Sequence, residues 1–322
     1  MLMSFSLYIS KSLDVYNNLA LETYLLEKKS PEAILFLWQN EKTVVIGKNQ
    51  SAYKECSIQK MKNDGVKLAR RITGGGAVYH HLGNLNFSFI LPNEIYNTED
   101  NFKIIISALK NLNINAKLSG RNDITICDKK FSGNAFFKTK THSLHHGTIL
   151  INEDLSILSK YLNVNPTKLK TKGVSSIKSR VINLSSINRD LNLEIIIEQL
   201  IKEYTKRYGN PTYQNLPNED KFYDIFSKYS SREWVFGQNP NTNIEFTTFL
   251  SCGEFTVNID IKNDVIKYIK IYSDSLNTDL PKQIENALLG KQFIISNLEK
   301  ELIHILNDKD IKLITNEIKK IF

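Results

Sequence analysis

Cysteine is scarce in this chain: Cys56, Cys127 and Cys252 are the only three in 322 residues, far apart and odd in number. No CxxC pair or metal-ligand spacing occurs, so neither a disulfide framework nor a zinc module is expected, and a reduced, cytoplasmic setting fits best. The opening residues Met1-Leu2-Met3-Ser4-Phe5 lack the basic stretch and long apolar core of a secretion signal. No run of about 18 apolar residues is present, so no membrane-spanning helix is expected. The Walker phosphate loop, the GxGxxG dinucleotide turn, the HExxH metal helix and the GxSxG nucleophile elbow are all missing. Internal repeats and long low-complexity tracts are missing too. The net charge of +8 favours anionic partners. Its lysines are scattered, as in Lys28-Lys29 and Lys319-Lys320, and no basic stripe interleaved with aromatics marks a nucleic-acid face. Hydrophobic residues at 41% and charged residues at 24% are ordinary for a globular protein, which argues for a large core and against disorder.

The hydrophobic pattern alternates between helix and strand periods. Helices are expected over 14–29, 52–63, 101–112, 155–162 and 193–208, and strands over 33–38, 43–47, 66–69, 85–91 and 145–151. Ile124–Cys127 and Lys130–Phe137 read as a strand pair around Asp128-Lys129. From Pro211 to Asn243 the chain changes character, with Pro211, Pro217 and Pro240, and its polar run Gln238-Asn239-Pro240-Asn241-Thr242-Asn243 reads as the approach to a linker. Beyond it, strands over 255–261 and 265–272 and helices near 280–289, 297–306 and 308–321 make a small unit of about 75 residues. The expected organisation is an α/β (α+β) chain divided into 1–243 and 244–322.

Arg70-Arg71-Ile72-Thr73-Gly74-Gly75-Gly76-Ala77-Val78-Tyr79-His80 is the most informative run. Arginine offers planar, forked donors to phosphate, and glycines let a backbone approach a ligand closely. An ordinary hairpin would look the same. Asp123, in the turn Gly120-Arg121-Asn122-Asp123, could hold Mg2+, accept from a base or ribose, or satisfy its own turn. The period of two places Lys130, Ser132 and Asn134 on one strand face, with Gly133 permitting close approach. The same rule puts His145 and His146 on opposite faces, one lining a pocket and one external, which disfavours a shared metal. Cys127 is expected to be a buried, inert thiol. Lys170–Arg180 is a basic, hydroxyl-rich loop that either closes on an anion or is simply exposed.

In their order along the chain, these elements together resemble the lipoate–protein ligases of the stand-alone bacterial type. The motifs are Arg70-Arg71 with the glycine run, Gly83-Asn84, Gly120–Asp123, Lys130 with Ser132-Gly133-Asn134-Ala135, His145-His146-Gly147-Thr148, and Lys172-Gly173-Val174-Ser175-Ser176 with Ser179-Arg180-Val181. The resemblance runs over essentially the whole chain. It implies a biotin/lipoate ligase-like catalytic domain with mixed β-sheets flanked by helices, followed by a small α/β accessory domain. It also implies a two-step activity: lipoate and Mg-ATP give lipoyl-AMP, and the lipoyl group passes to a lysine of acidic lipoyl-domain acceptors. Those acceptors are the E2 subunits of 2-oxoacid dehydrogenases and the glycine-cleavage H protein. No nucleic acid or membrane partner is implied.

By the same resemblance Lys130 is the catalytic residue, touching both lipoate and nucleotide. Arg71, Gly76, Ala77, Val78 and Tyr79 line ATP and the adenylate, joined by Asp123, Lys172 and Arg180. Lipoate is met by Lys130, Gly75, His146 and Val44, with Val78 and Phe89 as further lining. Arg70 either faces the lipoate or holds the loop's shape. Mg2+ falls to Asp123. Two other readings stand beside the ligase: an ATP-independent octanoyl or lipoyl transferase of the same fold, and a non-enzymatic nucleic-acid-binding or regulatory protein.

Overall fold

The computed structural model describes residues 4–163, 181–237 and 242–320. The chain divides into two compact units. The first comprises Met1–Val45, Glu55–Arg70 and Val78–Val235; the second comprises Ile46–Lys54, Arg71–Ala77 and Phe236–Phe322.

The first unit is built on a mixed eight-stranded sheet. Its strands are β1 (Ser4–Ile9), β2 (Ile34–Trp38), β6 (Asn84–Pro92), β7 (Lys117–Ser119), β8 (Asp123–Ile126), β9 (Lys129–Lys138), β10 (His142–Leu150) and β11 (Asn210–Tyr213). They lie in the order β11-β1-β2-β6-β10-β9-β8-β7. A smaller sheet is made of β3 (Thr43–Ile46), β4 (Lys67–Arg70) and β5 (Val78–His80), in the order β4-β3-β5. β1 pairs in parallel with β2 and β11, because the helix Val15–Glu27 carries the chain across between β1 and β2. Asp14 starts that helix as its N-cap, accepting from the amides of Tyr16 and Asn17 at 2.8 and 3.0 Å.

The two faces of the large sheet differ in chemistry. One is apolar: Phe5, Leu7, Leu35, Leu37, Phe87, Phe89 and Ile149 pack against Phe102, Ile105 and Leu109 of helix Thr98–Lys110 and Leu200 and Tyr204 of helix Leu193–Tyr208. Burying each such side chain contributes roughly 1.5–3 kcal/mol, so this layer dominates the stability of the unit. The other face meets helix Val15–Glu27 and is polar at its centre, where Ser88 and His146 reach Glu22.

The second unit adds an antiparallel meander, β12 (Ile244–Leu250), β13 (Gly253–Lys262) and β14 (Val265–Ser273), covered by helices Leu280–Leu288, Ile295–Leu302 and Asp308–Lys319. Phe255, Ile259, Ile271, Ile284, Leu298 and Ile314 form its own core. Asn263 and Asp264, both at positive φ (53° and 58°), close the β13–β14 turn in the left-handed pairing that matches strand twist.

Several sequence expectations change. The helix expected over 52–63 is two, Ala52–Glu55 and Ile58–Asn63. It breaks at Cys56-Ser57 because that backbone bonds elsewhere: Ser57 N–H donates to Tyr161 O at 2.9 Å, and Asn163 N–H to Glu55 O at 2.8 Å. The expected helix over 155–162 is only Leu158–Tyr161. The β8–β9 turn sits on Cys127-Asp128 (φ 49° and 61°), one residue earlier than expected, and leaves Cys127 exposed, not buried. Ahead of the run 238–243, read as the approach to a linker, the chain forms β11 and helices Tyr223–Ser230 and Arg232–Phe236. Residues 238–241 of that polar run lie outside the described residues.

His145 and His146 do face opposite sides, yet neither is external. His145 is fully buried among Phe87, Phe89, Phe102 and Phe136, with ring centroids at 4.7–5.7 Å, and its Nε2–H donates to Asn134 Oδ1 at 2.9 Å. Burial, helped by the neighbouring His146, pushes its pKa down from 6.5 to about 3. The folded chain therefore keeps His145 neutral while the unfolded chain protonates it below about pH 6.5, so stability falls by up to about 1.4 kcal/mol per pH unit as pH drops from 6.5 toward 3. His145→Gln should lower stability at pH 7. Its deficit relative to wild type should then shrink as unfolding is measured at pH 6 and pH 5; a pH-independent deficit would contradict the assignment.

Candidate active site

The polar face of the large sheet gathers the first set of candidate residues. In the β8–β9 ladder Asp123 pairs with Gly133 and Ile124 with Ser132, but Thr125 pairs with Lys130, so Phe131 is an extra residue. This bulge resets the alternation. Lys130 does not share a face with Ser132 and Asn134 as the period of two implies. It shares one with Asp123 and Gly133, while Phe131 and Ile124 go into the apolar core.

The consequences are geometric. Lys130 Nζ meets Asp123 Oδ1 at 2.7 Å, both side chains being 35–40% exposed. The lysine arm lies over Gly133: a Cβ built there would sit 2.7 Å from Nζ and 2.8 Å from Cε. Gly133 N–H donates to Thr148 Oγ1 at 3.2 Å, and Ile182 N–H to Lys130 O at 2.9 Å. A half-exposed ion pair is worth at most about 1 kcal/mol, so an anionic ligand can displace Asp123 from the ammonium at little cost.

Further along this face His146 Nδ1 contacts Glu22 at 2.9 and 3.1 Å; Ser88 Oγ–H donates to Glu22 at 2.5 Å, and Trp38 Nε1–H to Ser88 Oγ at 3.0 Å. Glu22 is 1% exposed. Asn86, opposite Thr148 on β10 and Trp38 on β2, is 2% exposed, and its Nδ2 has no hydrogen-bond partner among the described residues. A buried amide donor without an acceptor is costly and suits a ligand oxygen. Glu22, Ser88 and Asn86 were not singled out from sequence. No motif marks them, because they come together only through strand register and helix packing.

The Arg70–Tyr79 run divides between the units. Arg70 is buried, and its Nε and Nη2 donate to the Trp234 and Val235 carbonyls at 2.8–3.1 Å, while Trp234 Nε1–H returns a bond to Arg70 O at 2.8 Å. These bonds tie Arg70 to helix Arg232–Phe236. Arg71 is also buried and shapes the glycine run: Nε donates to Thr73 Oγ1 at 3.0 Å, and Nη2 to Gly74 O and Gly76 O at 2.7 and 2.9 Å. Within the second unit Gly74 presses on the chain at Ser275-Leu276, where a Cβ would lie 2.1 Å from the Ser275 carbonyl oxygen. Gly75 follows at φ 94°, while a Cβ on Gly76 would meet nothing within 4 Å.

In the β4-β3-β5 sheet Val44 pairs with Tyr79 and Val45 with Val78. Val44 is fully buried; Tyr79 stacks on Tyr161 at 5.9 Å, and burial, followed by the nearby Glu153 carboxylate, pushes its hydroxyl up to about 12. Phe89 lies in the apolar core, on the sheet face away from Lys130. Lys172 and Arg180 lie outside the described residues. Cys56 is buried and its thiol is pushed up to about 12, chiefly by burial, so it is no nucleophile. Among the described residues no three His, Cys, Asp or Glu side chains are grouped to hold a metal, and Asp123 is engaged by Lys130. The residues present do not fit a protein-built Mg2+ cage.

Comparison with known proteins completes the picture. The family model for the lipoyl protein ligase A/B catalytic domain matches residues 14–205, and that for the bacterial lipoate protein ligase C-terminus matches residues 239–321. The chain is 40% identical to a lipoate-protein ligase A of Psychrobacter cryohalolentis, covering 86% of this chain and 85% of that protein. The crystal structure of P. falciparum LipL1 in complex with lipoate is 34% identical with a TM-score of 0.85, covering 98% of this chain and 99% of the other. A lipoate-protein ligase A bound with ATP is 27% identical with a TM-score of 0.64, covering 73% of this chain and 99% of the other.

Two glycine substitutions should separate scaffold from site. Gly74→Ala drives a Cβ into backbone and should cost about 1–3 kcal/mol. Gly133→Ala displaces only the end of a flexible side chain and should stay within about 1 kcal/mol. Denaturant unfolding of both variants checks this; equal costs would mean that one of the two contacts is misplaced.

Proposed function

This chain belongs to the lipoate–protein ligase family, and on that premise we propose how its residues divide the work of ATP-dependent lipoate ligation. The enzyme activates lipoate with ATP to lipoyl-AMP and pyrophosphate and passes the lipoyl group to a protein lysine. The supporting observation is the Lys130 ammonium, held over Gly133 by one half-exposed carboxylate, on the face that also presents Thr148 and the unpartnered amide of Asn86.

In the first step a lipoate carboxylate oxygen attacks the α-phosphorus of ATP, and the bond to the β-phosphate breaks to release pyrophosphate. The two reactants are both anions. Lys130, given up by Asp123, stands between them, offsets their repulsion and stabilises charge on the transferring phosphoryl group. Charge-assisted hydrogen bonds of this kind contribute roughly 1.5–3 kcal/mol each. In the second step the neutral amine of the acceptor lysine attacks the carbonyl of the mixed anhydride; the C–O bond to AMP breaks, AMP leaves, and the amine loses its proton to solvent. The acyl group is already activated, so positioning the amine carries this step without a covalent enzyme intermediate.

Arg71 and Gly76–Tyr79 line the nucleotide in this reading, with Lys172 and Arg180 on the adenylate. Arg71 supports the site by bracing the glycine run, and the open space beside Gly76 leaves that backbone free for a ligand. His146, oriented by Glu22, sits along the lipoyl chain with Val44 and Gly75. The protein acts in the cytoplasm on lipoyl-domain proteins, E2 subunits and the H protein. Division at residue 243 into catalytic and accessory parts completes the proposal.

Lys130→Ala should abolish adenylate formation, with pyrophosphate release down by a factor on the order of 10²–10³, while thermal unfolding is little changed. Gly133→Ala, which moves the ammonium by an ångström or more, should cost about 10²-fold in the same assay. Substantial lipoyl-AMP made by the Lys130→Ala protein would refute the assignment. Acyl transfer without any pyrophosphate release from the wild type would favour the ATP-independent transferase. Removal of residues from Asn243 onward also removes the Ser275 and Thr278 carbonyls, which hold Gly75 N–H at 3.4 Å and Asn49 Nδ2 at 2.8 Å. That truncation should depress activation more than transfer from supplied lipoyl-AMP, measured side by side.

A further inference from the structure

We propose that the basic outer edge of the large sheet, formed by β7 and the β8–β9 hairpin, is the docking surface for an acidic face of the acceptor protein. The inference rests on the ligase reading and adds to it where the second substrate lands.

Charge is concentrated there. Residues 117–140 hold six basic and two acidic side chains, a net +4, half of the chain's +8 in 24 of 322 residues. The fold arrays this segment along one margin. β7 is the terminal strand, paired with β8 alone, and all three of its residues are exposed, Leu118 at 45%. β9 is ten residues long, about 34 Å, and its last five residues, to Lys138, run on beyond its pairing with β8. Among the described residues Lys117 pairs with Asp128, at 2.7 Å, the two side chains being 65% and 85% exposed. Lys129, Lys138 and Lys140 have no carboxylate partner among the described residues. Such a margin attracts an acidic surface at long range and sets its orientation.

Position favours the acceptor over an arbitrary polyanion. Lys130 lies on the same hairpin, two strands in from the edge, so a strand laid beside β7 runs about 14 Å from the β9 backbone. A lysine at a turn of the docked domain then reaches the acyl group without either protein unfolding. The alternative use of these lysines is to blunt an open strand edge against self-association. That use predicts aggregation when they are lost, not a change in acceptor recognition.

The test uses the full chain carrying Lys129→Glu, Lys138→Glu and Lys140→Glu together, with the corresponding Gln variants as a milder control. Pyrophosphate release with ATP and lipoate reads activation. Transfer from supplied lipoyl-AMP to an unlipoylated lipoyl domain of net negative charge reads docking, and anisotropy of that labelled domain reads binding without chemistry. The expected result is a KM for the acceptor raised about tenfold or more at about 50 mM salt, weaker anisotropy binding, unchanged kcat and unchanged pyrophosphate release, with the Gln variants intermediate. Raising salt should weaken wild-type binding and leave the Glu variant nearly unaffected. Unchanged acceptor KM and binding would overturn the proposal, as would an equal loss of pyrophosphate release. So would loss of affinity for a short single-stranded oligonucleotide while acceptor binding stays intact. If wild type binds the lipoyl domain but transfers nothing, the ligase reading fails while the anisotropy series still judges the surface.

Discussion

Phe131 is one residue more than the ladder between β8 and β9 can pair, and that excess turns Lys130 toward Asp123 and Gly133. In an unbroken antiparallel ladder Lys130 would lie on the face of Ser132 and Asn134, which is the core face. Its ammonium would then be buried without a counter-charge, at a cost of several kcal/mol. The bulge sends the phenyl ring into the core instead and leaves the lysine half-exposed over a glycine that makes room for it. Packing and site are thus set by one register shift.

The same sheet keeps its two jobs apart by face. The apolar side, sandwiched by helices Thr98–Lys110 and Leu193–Tyr208, supplies stability and even absorbs an uncharged histidine among four phenylalanines. The polar side buries Glu22, Ser88, Asn86 and His146, groups that lower stability unless paired. Glu22 answers this by accepting from Ser88 and contacting His146, while among the described residues the Asn86 amide is left without an acceptor. A fold carries such a group where something else completes it, and its place beside Thr148 and Trp38 fits that pattern.

The glycine run shows how one motif can hold several unlike roles. Arg70 and Arg71 are adjacent and look equivalent as phosphate grips. One locks a short helix from the first unit through backbone carbonyls; the other threads its guanidinium through the loop that follows it. Gly74 is glycine because a backbone lies against it, Gly75 because its φ is positive, and only Gly76 faces open space.

Much of this was determined by sequence alone. The alternation of apolar residues places helix Leu193–Tyr208 to the residue and most strands within one or two, because burial on one face imposes its period locally. The ordered motifs around Arg71, Lys130 and His146 carry the family, since they are short stretches whose residue types survive any reading of their surroundings. Tertiary structure alone decided the rest. The bulge at Phe131 is invisible to a period of two, and the break at Cys56 depends on a partner more than a hundred residues away. Arg70 met the carbonyls of Trp234 and Val235 from far along the chain, and Glu22 met His146 because a helix crossed a sheet. Local chemistry fixes what a segment can become; which face a side chain ends on, and what waits there, is settled by partners distant in the chain.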